Sequence, residues 1–281
     1  MADGAYRWQG QTPAPDAARV EAIVAAYDET EAHAFAEPAR ATALARIDQA
    51  LAAVRAGDLP GAADVLTRAR ALLDDLRPAR LEPRRGLAGL FDSRGRRLRD
   101  FREAWRTAAG ALSAVADDLT ARADDATRHT GVLDDLWTGV RDGLIDLDAH
   151  LLAAVRRLAR QVPTEDAPAH PLESRKAALD ACRAAALATL PLIRGAQTGD
   201  ARAAAALTAC ADGVEAWKTD WRQALGLAGK RPKRVRPDPD QLSRLRDDLL
   251  ARIDRALTEL TTARQRRSDV EARLTRLRAG L

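Results

Sequence analysis

Residues 98–158 read LRDFREAWRTAAGALSAVADDLTARADDATRHTGVLDDLWTGVRDGLIDLDAHLLAAVRRL, and this stretch decides the fold. An apolar residue stands at every seventh position, nine times in succession: Leu98, Trp105, Leu112, Leu119, Ala126, Leu133, Val140, Leu147 and Ala154. A stripe with this spacing runs along one face of an α-helix that packs against other helices. At about 1.5 Å of rise per residue, the helix would span roughly 90 Å. We therefore predict one very long helix that ends near Arg160.

A second apolar position interleaves with the first and is interrupted by polar residues. It holds, in order, Phe101, Ala108, Val115, Arg122, His129 and Leu136. Three glycines also lie in the second half of the stretch, and each weakens a helix interior by up to about 1 kcal/mol relative to alanine. The interruption at Arg122 and His129 therefore favours a bend or a tip of the helix near residues 122–131.

Shorter helical patterns precede this stretch. We predict a loose tail over residues 1–15 and a short helix over about residues 16–33. Pro38 then opens a helix that Gly57 caps, and Asp58 begins the next, which stops before Pro78. Two short helices joined by a tight turn form an αα-hairpin. We place the first domain, a tail and a helical hairpin, at residues 1–85.

The remaining chain also has helical spacing, and no segment alternates like a strand. A helix beginning at Leu172 is expected to kink or divide at Pro191 and to end at Gly199-Asp200, before another that contains Trp217 and Trp221. The last helix has its own seven-residue repeat: Leu242, Leu249, Ala256, Ala263, Val270 and Leu277. The sequence thus predicts an all-α fold, an elongated helical bundle with two long coiled-coil-like helices, with residues 86–281 as the second domain.

Composition narrows the class of protein. The 281 residues are 46% hydrophobic and 31% charged with a formal net charge of +4, and acidic and basic residues are interspersed as on solvated helix faces. We therefore expect no nucleic-acid partner. The chain has no run long enough to span a membrane and no signal-peptide core, and its two cysteines do not suggest a disulfide framework. These features together favour a cytoplasmic protein.

Sequence signatures of catalysis are missing. The four histidines lack the spacing of a helical metal site, and adjacent aspartates on a helix point about 100° apart and do not converge. The chain has no glycine-rich phosphate loop and no nucleophile elbow. Cys182 and Cys210 lie in the apolar stripes of their helices, where cysteine behaves as a small hydrophobe. We predict no catalytic residue, no metal, no cofactor and no identified small-molecule substrate.

Two features could serve a binding partner. One is a basic linker composed of Lys230, Arg231, Lys233, Arg234 and Arg236. Such a cluster suits nucleic acid or acidic lipid headgroups, and the alternative is a solvated linker that charge keeps extended. The other feature is the pair Trp217 and Trp221, one helical turn apart. A buried pair would belong to the core, whereas an exposed pair would mark an interface.

Several segments resemble the toxic anion resistance (TelA) family. Leu112-x-x-Val115-x-x-x-Leu119, followed by Asp124 and Arg128, resembles the central helix of that family. Pro191-Leu-Ile193-Arg194-x-x-Gln197 resembles its Pro-x-Ile-Arg-x-x-Gln segment, and Trp217-Lys218 resembles its Trp-Lys stretch. The matches keep one order and cover about residues 87–281. The chain departs from the pattern at His129-Thr130, where the family often has Asp-Asn, and before Trp217, where the expected proline is missing.

The resemblance implies a bacterial stress-response protein associated with tellurite resistance, without settled enzymatic activity and with no catalytic residue to carry over. We therefore expect a non-enzymatic protein that meets protein partners through helical surfaces. The candidate partner-binding residues are Asp124, Arg128, Arg194, Gln197, Trp217 and Lys218, together with the basic linker. The alternatives are a thiol-dependent tellurite-reducing enzyme that uses Cys182 or Cys210, and a peripheral membrane or structural adaptor that uses the linker.

Overall fold

The computed structural model describes residues 13–56, 59–82, 93–160, 170–229 and 235–281, with the backbone alone at 59 and 60. Within these ranges the chain forms α-helices and two short 3-10 helices, Glu29–Ala34 and Pro78–Leu81, and no strand. The α-helices are α1 Ala17–Ala25, α2 Glu37–Arg55, α3 Leu59–Asp75, α4 Arg94–Leu158, α5 Pro171–Ala224 and α6 Pro239–Ala279. The predicted all-α class is confirmed. The predicted caps Gly57 and Asp58 lie outside the described residues.

Helix α4 is continuous over 65 residues, as the heptad stripe predicts. Seven of the nine stripe positions are buried, and the two others, Leu98 and Ala126, are half-buried. The polar interruption does not end the helix. Arg122 donates from Nε to Asp118 Oδ1 at 2.9 Å, one turn earlier on α4 itself. A polar residue within the stripe is therefore accommodated by a partner on its own helix.

Helix α5 corrects the prediction of two separate helices. It runs unbroken for 54 residues with Pro191 inside it, and Gly199-Asp200 does not end it. Asp200 is fully buried, and its Oδ2 lies 2.9 Å from His129 Nδ1. These helix-breaking residues do not end α5, because apolar residues on both sides of them, such as Ile193 and Leu207, are buried. The first helix was also predicted too long, since α1 ends at Ala25 and a 3-10 helix follows.

The chain divides into two compact units. Unit 1 takes in the described residues of 1–57, 130–198 and 266–281, and unit 2 those of 58–129 and 199–265. The division assigns α2 to unit 1 and α3 to unit 2, and it crosses α4 between His129 and Thr130. Neither unit coincides with residues 1–85 or with residues 86–281. Each of the helices α4, α5 and α6 contributes one part to each unit.

Unit 1 has several buried clusters among the described residues, and the largest draws on four helices. Its buried residues come from α2, α4, α5 and α6, and the larger ones are Val54, Leu133, Val140, Leu144, Leu190, Ile193, Val270 and Leu274. Two buried cations accompany them. Arg183 on α5 donates to Asp148 on α4, and Arg267 on α6 donates to the Val54 carbonyl at 3.1 Å. The second contact supplies a donor to a carbonyl in the last turn of α2, where the helix itself offers no partner.

The core of unit 2 combines α3, α4, α5 and α6. Its buried residues include Leu66, Leu73, Phe101, Leu112, Leu119, Trp217, Trp221, Leu249 and Ile253. Helix α5 ends at this core. Gly226 has φ of 69°, and the Leu227 N–H donates to the Arg222 carbonyl at 2.8 Å. This left-handed glycine closes the helix and turns the chain away.

The glycines inside helices differ in the room that they leave for a methyl group. At Gly143 an added Cβ meets nothing within 4 Å, whereas at Gly213 it would lie 2.8 Å from Arg252 Cδ and 3.3 Å from Leu249 Cδ1. We expect Gly143→Ala to raise the free energy of unfolding by about 0.5–1 kcal/mol, because alanine loses less backbone entropy on folding. Gly213→Ala should show a smaller gain or a loss. Denaturant titration of both variants checks this, and a larger gain at Gly213 would contradict it.

Candidate functional site

The structure distributes the candidate residues over both units. Asp124 and Arg128 are exposed on unit 2, where Arg128 pairs with Asp125 rather than with Asp124. Trp217 and Lys218 also belong to unit 2, and Arg194 and Gln197 belong to unit 1. Lys230, Arg231, Lys233 and Arg234 lie outside the described residues, and Arg236 is exposed. Of the residues that the family resemblance singled out, Arg194 and Gln197 lie together in one cluster with residues of α4.

This polar and aromatic cluster on unit 1 is here called the Trp137 surface and is composed of Asp134, Trp137, Arg194 and Gln197. Arg194 on α5 donates from Nη1 to Asp134 Oδ1 on α4 and to Gln197 Oε1 on its own helix. Its guanidinium carbon lies 4.2 Å from the centre of the Trp137 ring. Gln197 in turn donates to the Thr130 carbonyl at 3.1 Å. Arg194 is thus fixed by two acceptors and an aromatic face.

The electrostatics of the Trp137 surface agree with this geometry. The hydrogen bond from Arg194 is the main reason why the pKa of Asp134 lies below its ordinary value of 3.8. The hydrogen bond therefore favours the charged form of the carboxylate. Asp134 and Arg194 keep about half of their side-chain surface in solvent, at 53% and 42%. An exposed ion pair of this kind adds little stability, so its main effect is to orient Arg194.

The Trp137 surface has the composition of a binding surface rather than of a catalytic site. Trp137 is half-buried, and a second cation, Arg141, lies 5.5 Å from its ring centre. Tryptophan and arginine are the residue types that dominate the energy of protein interfaces. The cluster offers a rigid aromatic ring and an oriented guanidinium, and it contains no nucleophile beside a base.

The sequence did not single out Trp137 or Asp134. Trp137 stands four residues after Leu133, at the spacing of the buried residues of the long helix, so its position predicts a core residue. The signal that could have found it is the order Asp134, Trp137, Arg141, which places an acid, a ring and a cation at steps of three and four on one helix face. The contribution of α5 to the cluster could not be read from that spacing.

Trp217 and Lys218 have different surroundings. Trp217 is buried, and its ring centre lies 4.9 Å from that of Trp221, which stacks on Phe101 at 5.9 Å. The pair belongs to the core of unit 2, so Trp217 offers no surface to a partner. Lys218 is partly exposed, and its Nζ contacts Glu215 Oε1 at 2.8 Å and the hydroxyl of Ser113.

Both cysteines are buried free thiols. Cys182 lies in the core of unit 1 and Cys210 in the core of unit 2, and neither leaves measurable surface in solvent. Burial is the main cause that raises the pKa of Cys182, and it raises the pKa of Cys210 to about 11. A thiol reacts as its thiolate, so these environments suppress reactivity.

We expect Cys210 to react with a water-soluble thiol reagent far more slowly in the folded protein than in the unfolded one. At pH 8, a pKa of about 11 leaves about 0.1% thiolate, roughly a hundredfold less than at the ordinary value of 9.0. Burial slows the reaction further, since a reagent reaches the thiol only through local opening. Labelling followed by mass spectrometry, with Cys182→Ala to isolate Cys210, measures the rate. Labelling as fast as in denaturant would contradict the buried environment.

Neither the arrangement of the described residues nor a comparison with known proteins assigns a chemistry to this chain. Among the described residues, no three His, Cys, Asp or Glu side chains converge in a way that could hold a metal ion. Within the same residues, no helix combines the length and the hydropathy needed to cross a bilayer. No family model, no curated protein and no solved structure matches the chain. The resemblance to the TelA family therefore stays a prediction from the sequence.

Proposed function

We propose that this chain is a non-enzymatic, cytoplasmic binding protein that engages a protein partner through the Trp137 surface. Its association with tellurite resistance is part of the proposal and is supported by the sequence resemblance to the TelA family. The observation that carries the proposal is the position of Arg194, stacked on Trp137 at 4.2 Å and bonded to Asp134 and Gln197. Arg194 and Gln197 are also the two residues of the Pro-x-Ile-Arg-x-x-Gln match that project into one cluster.

The arrangement suits binding for an energetic reason. Association loses about 0.5–1.5 kcal/mol for each flexible side chain that becomes immobile at the interface. Arg194 is already held by its neighbours on α4 and α5, so a partner would find the guanidinium in place. A partner that lays an apolar or aromatic side chain on the exposed part of Trp137 would also remove that ring from water. Both effects favour a specific protein contact over a weak, transient one.

The thiol-dependent alternative requires a cysteine that a substrate can reach. Cys182 and Cys210 are buried, and the raised pKa of each disfavours the thiolate at neutral pH. These properties support a structural role for both residues. The adaptor alternative depends mainly on residues 230–234. These lie outside the described residues, so no observed contact supports this alternative.

Photo-crosslinking in cells tests the proposed partner contact. A photoreactive amino acid at Thr198, which is exposed one turn after Arg194 on α5, is expected to give a discrete adduct with one protein. The matched control carries the same amino acid at Thr42, an exposed position on α2. Adding Trp137→Ala and Arg194→Ala to the Thr198 protein should reduce the adduct by about tenfold, as loss of an interface anchor does.

Two outcomes would contradict the proposal. One is the same pattern of adducts from Thr198 and Thr42, which would indicate random collisions. The other is an adduct at Thr198 that survives removal of both Trp137 and Arg194. Circular dichroism of the purified variants excludes unfolding as the cause of a lost adduct, since the helical content should stay that of the unsubstituted protein.

A further inference from the structure

A cavity of about 490 Å³ lies in unit 2 beside the C-terminal end of α5. Helix α4 contributes Trp105 and Arg106 to its wall, and α5 contributes Glu215, Lys218 and Arg222, with Leu227 from the segment after the helix. Its volume falls within the usual range for sites that bind small molecules. The function proposed above makes no use of this cavity.

The charges around the cavity are predominantly positive. Arg106, Lys218 and Arg222 line it, against the single carboxylate of Glu215. Glu215 is neutralised by Lys218, with Nζ at 2.8 Å from Oε1 and 3.0 Å from Oε2. Arg222 donates from Nε to the Leu227 carbonyl at 3.2 Å, and Arg106 donates from Nη1 to Glu103 Oε1. Each guanidinium has further N–H groups that these contacts do not occupy.

A fourth cation strengthens the positive field. Arg102 donates to the Leu225 carbonyl from Nε at 2.9 Å and from Nη2 at 2.6 Å. Burial and the nearby charge of Arg106, in that order, lower the pKa of Arg102. The carbonyls of Leu225 and Leu227, which follow α5 and would repel an anion, thus accept from Arg102 and Arg222. The repulsion between Arg102 and Arg106 is the kind that an anion placed between like charges relieves.

We propose that this cavity binds a small organic anion, whose phosphate or carboxylate groups contact Arg106 and Arg222. Trp105 and Leu227 supply apolar surface for the carbon part of the ligand. Two guanidinium groups suit such a ligand because each can offer parallel N–H donors to a planar or tetrahedral oxyanion. Lys218 keeps its hydrogen bonds to Glu215 and Ser113 and adds positive charge at the rim of the cavity.

Isothermal titration calorimetry with pyrophosphate and with citrate, at matched ionic strength, tests the proposal. We expect the unsubstituted protein to bind at least one of them saturably, with a Kd below about 1 mM. The stronger probe identifies the acidic group as phosphate or carboxylate. Arg106→Gln/Arg222→Gln should weaken binding by about tenfold or more.

The matched control is Arg68→Gln/Arg244→Gln, which removes two positive charges from exposed positions of the same unit away from the cavity wall. Its Kd should stay within about twofold of the unsubstituted value, because screening limits the effect of distant surface charges. Equal weakening in both double variants would overturn the proposal, since it would reveal a general attraction of anions. Absence of saturable binding of both probes below about 1 mM would overturn it as well.

Discussion

Replacing Trp221 by alanine is expected to lower the free energy of unfolding by about 3–5 kcal/mol, one of the largest effects of any single change in unit 2. The side chain is fully buried among α3, α4, α5 and α6, and it contacts the rings of Phe101 and Trp217. The cavity left behind cannot close without moving these two rings. Denaturant titration, with the midpoint and slope fitted together, gives the change.

Trp137→Ala is the matched control for this loss, because it removes the same side chain from a half-buried position. Its expected effect is about 1 kcal/mol, which includes the lost contact with Arg194. A loss below about 1 kcal/mol for Trp221→Ala would contradict the assignment of Trp217 and Trp221 to the core. A loss above about 3 kcal/mol for Trp137→Ala would instead show that Trp137 is a core residue.

The second large effect is expected in unit 1, at the buried pair of Asp148 and Arg183. Asp148 has no surface in solvent, and Arg183 is 9% exposed. Asp148→Ala should lower the free energy of unfolding by about 3–5 kcal/mol, because the guanidinium then stays buried without its carboxylate. Guanidinium chloride would screen the remaining charge, so urea is the better denaturant for the measurement.

A double replacement separates the pair interaction from simple loss of packing. Asp148→Leu/Arg183→Met removes both charges and keeps apolar volume at both positions. Its stability should lie within about 1–2 kcal/mol of the unsubstituted protein, since two buried charges no longer need to be taken out of water. The double variant is compared with Asp148→Leu and Arg183→Met alone. If the free energies of unfolding lost by these two single variants add up to the loss of the double variant, the two residues are not coupled, which would contradict this account.

The seven-residue stripe of α4 shows how far the sequence predicts this fold. Spacing alone gives a long helix and its buried face, because seven of the nine stripe positions are buried and the helix is unbroken from Arg94 to Leu158. It fails at α5, where Pro191 and Gly199-Asp200 predicted a division. There the helix continues because apolar residues on both sides of these signals are buried, and the buried Asp200 has His129 as a partner, a contact between residues 71 apart that local sequence cannot reveal.

The candidate site was less predictable than the fold. Arg194 and Gln197 were named from a motif, but their partners Asp134 and Trp137 stand 60 and 57 positions earlier in the chain, on α4. Which residues of two long helices meet depends on their register, and register is set by the packing of the whole core. The same reason explains Trp217, whose spacing suited a buried or an exposed face until the contact with Trp221 and Phe101 assigned it to the core.

Survival on tellurite of cells lacking the gene tests the central claim most directly. The unsubstituted gene and Cys182→Ala/Cys210→Ala are each expected to restore growth, whereas Trp137→Ala/Arg194→Ala, expressed to the same level, is expected not to. Restoration by the surface variant together with failure of the cysteine variant would contradict the account and favour thiol chemistry. Equal growth on tellurite with and without the unsubstituted gene would contradict the proposed link to toxic-anion resistance.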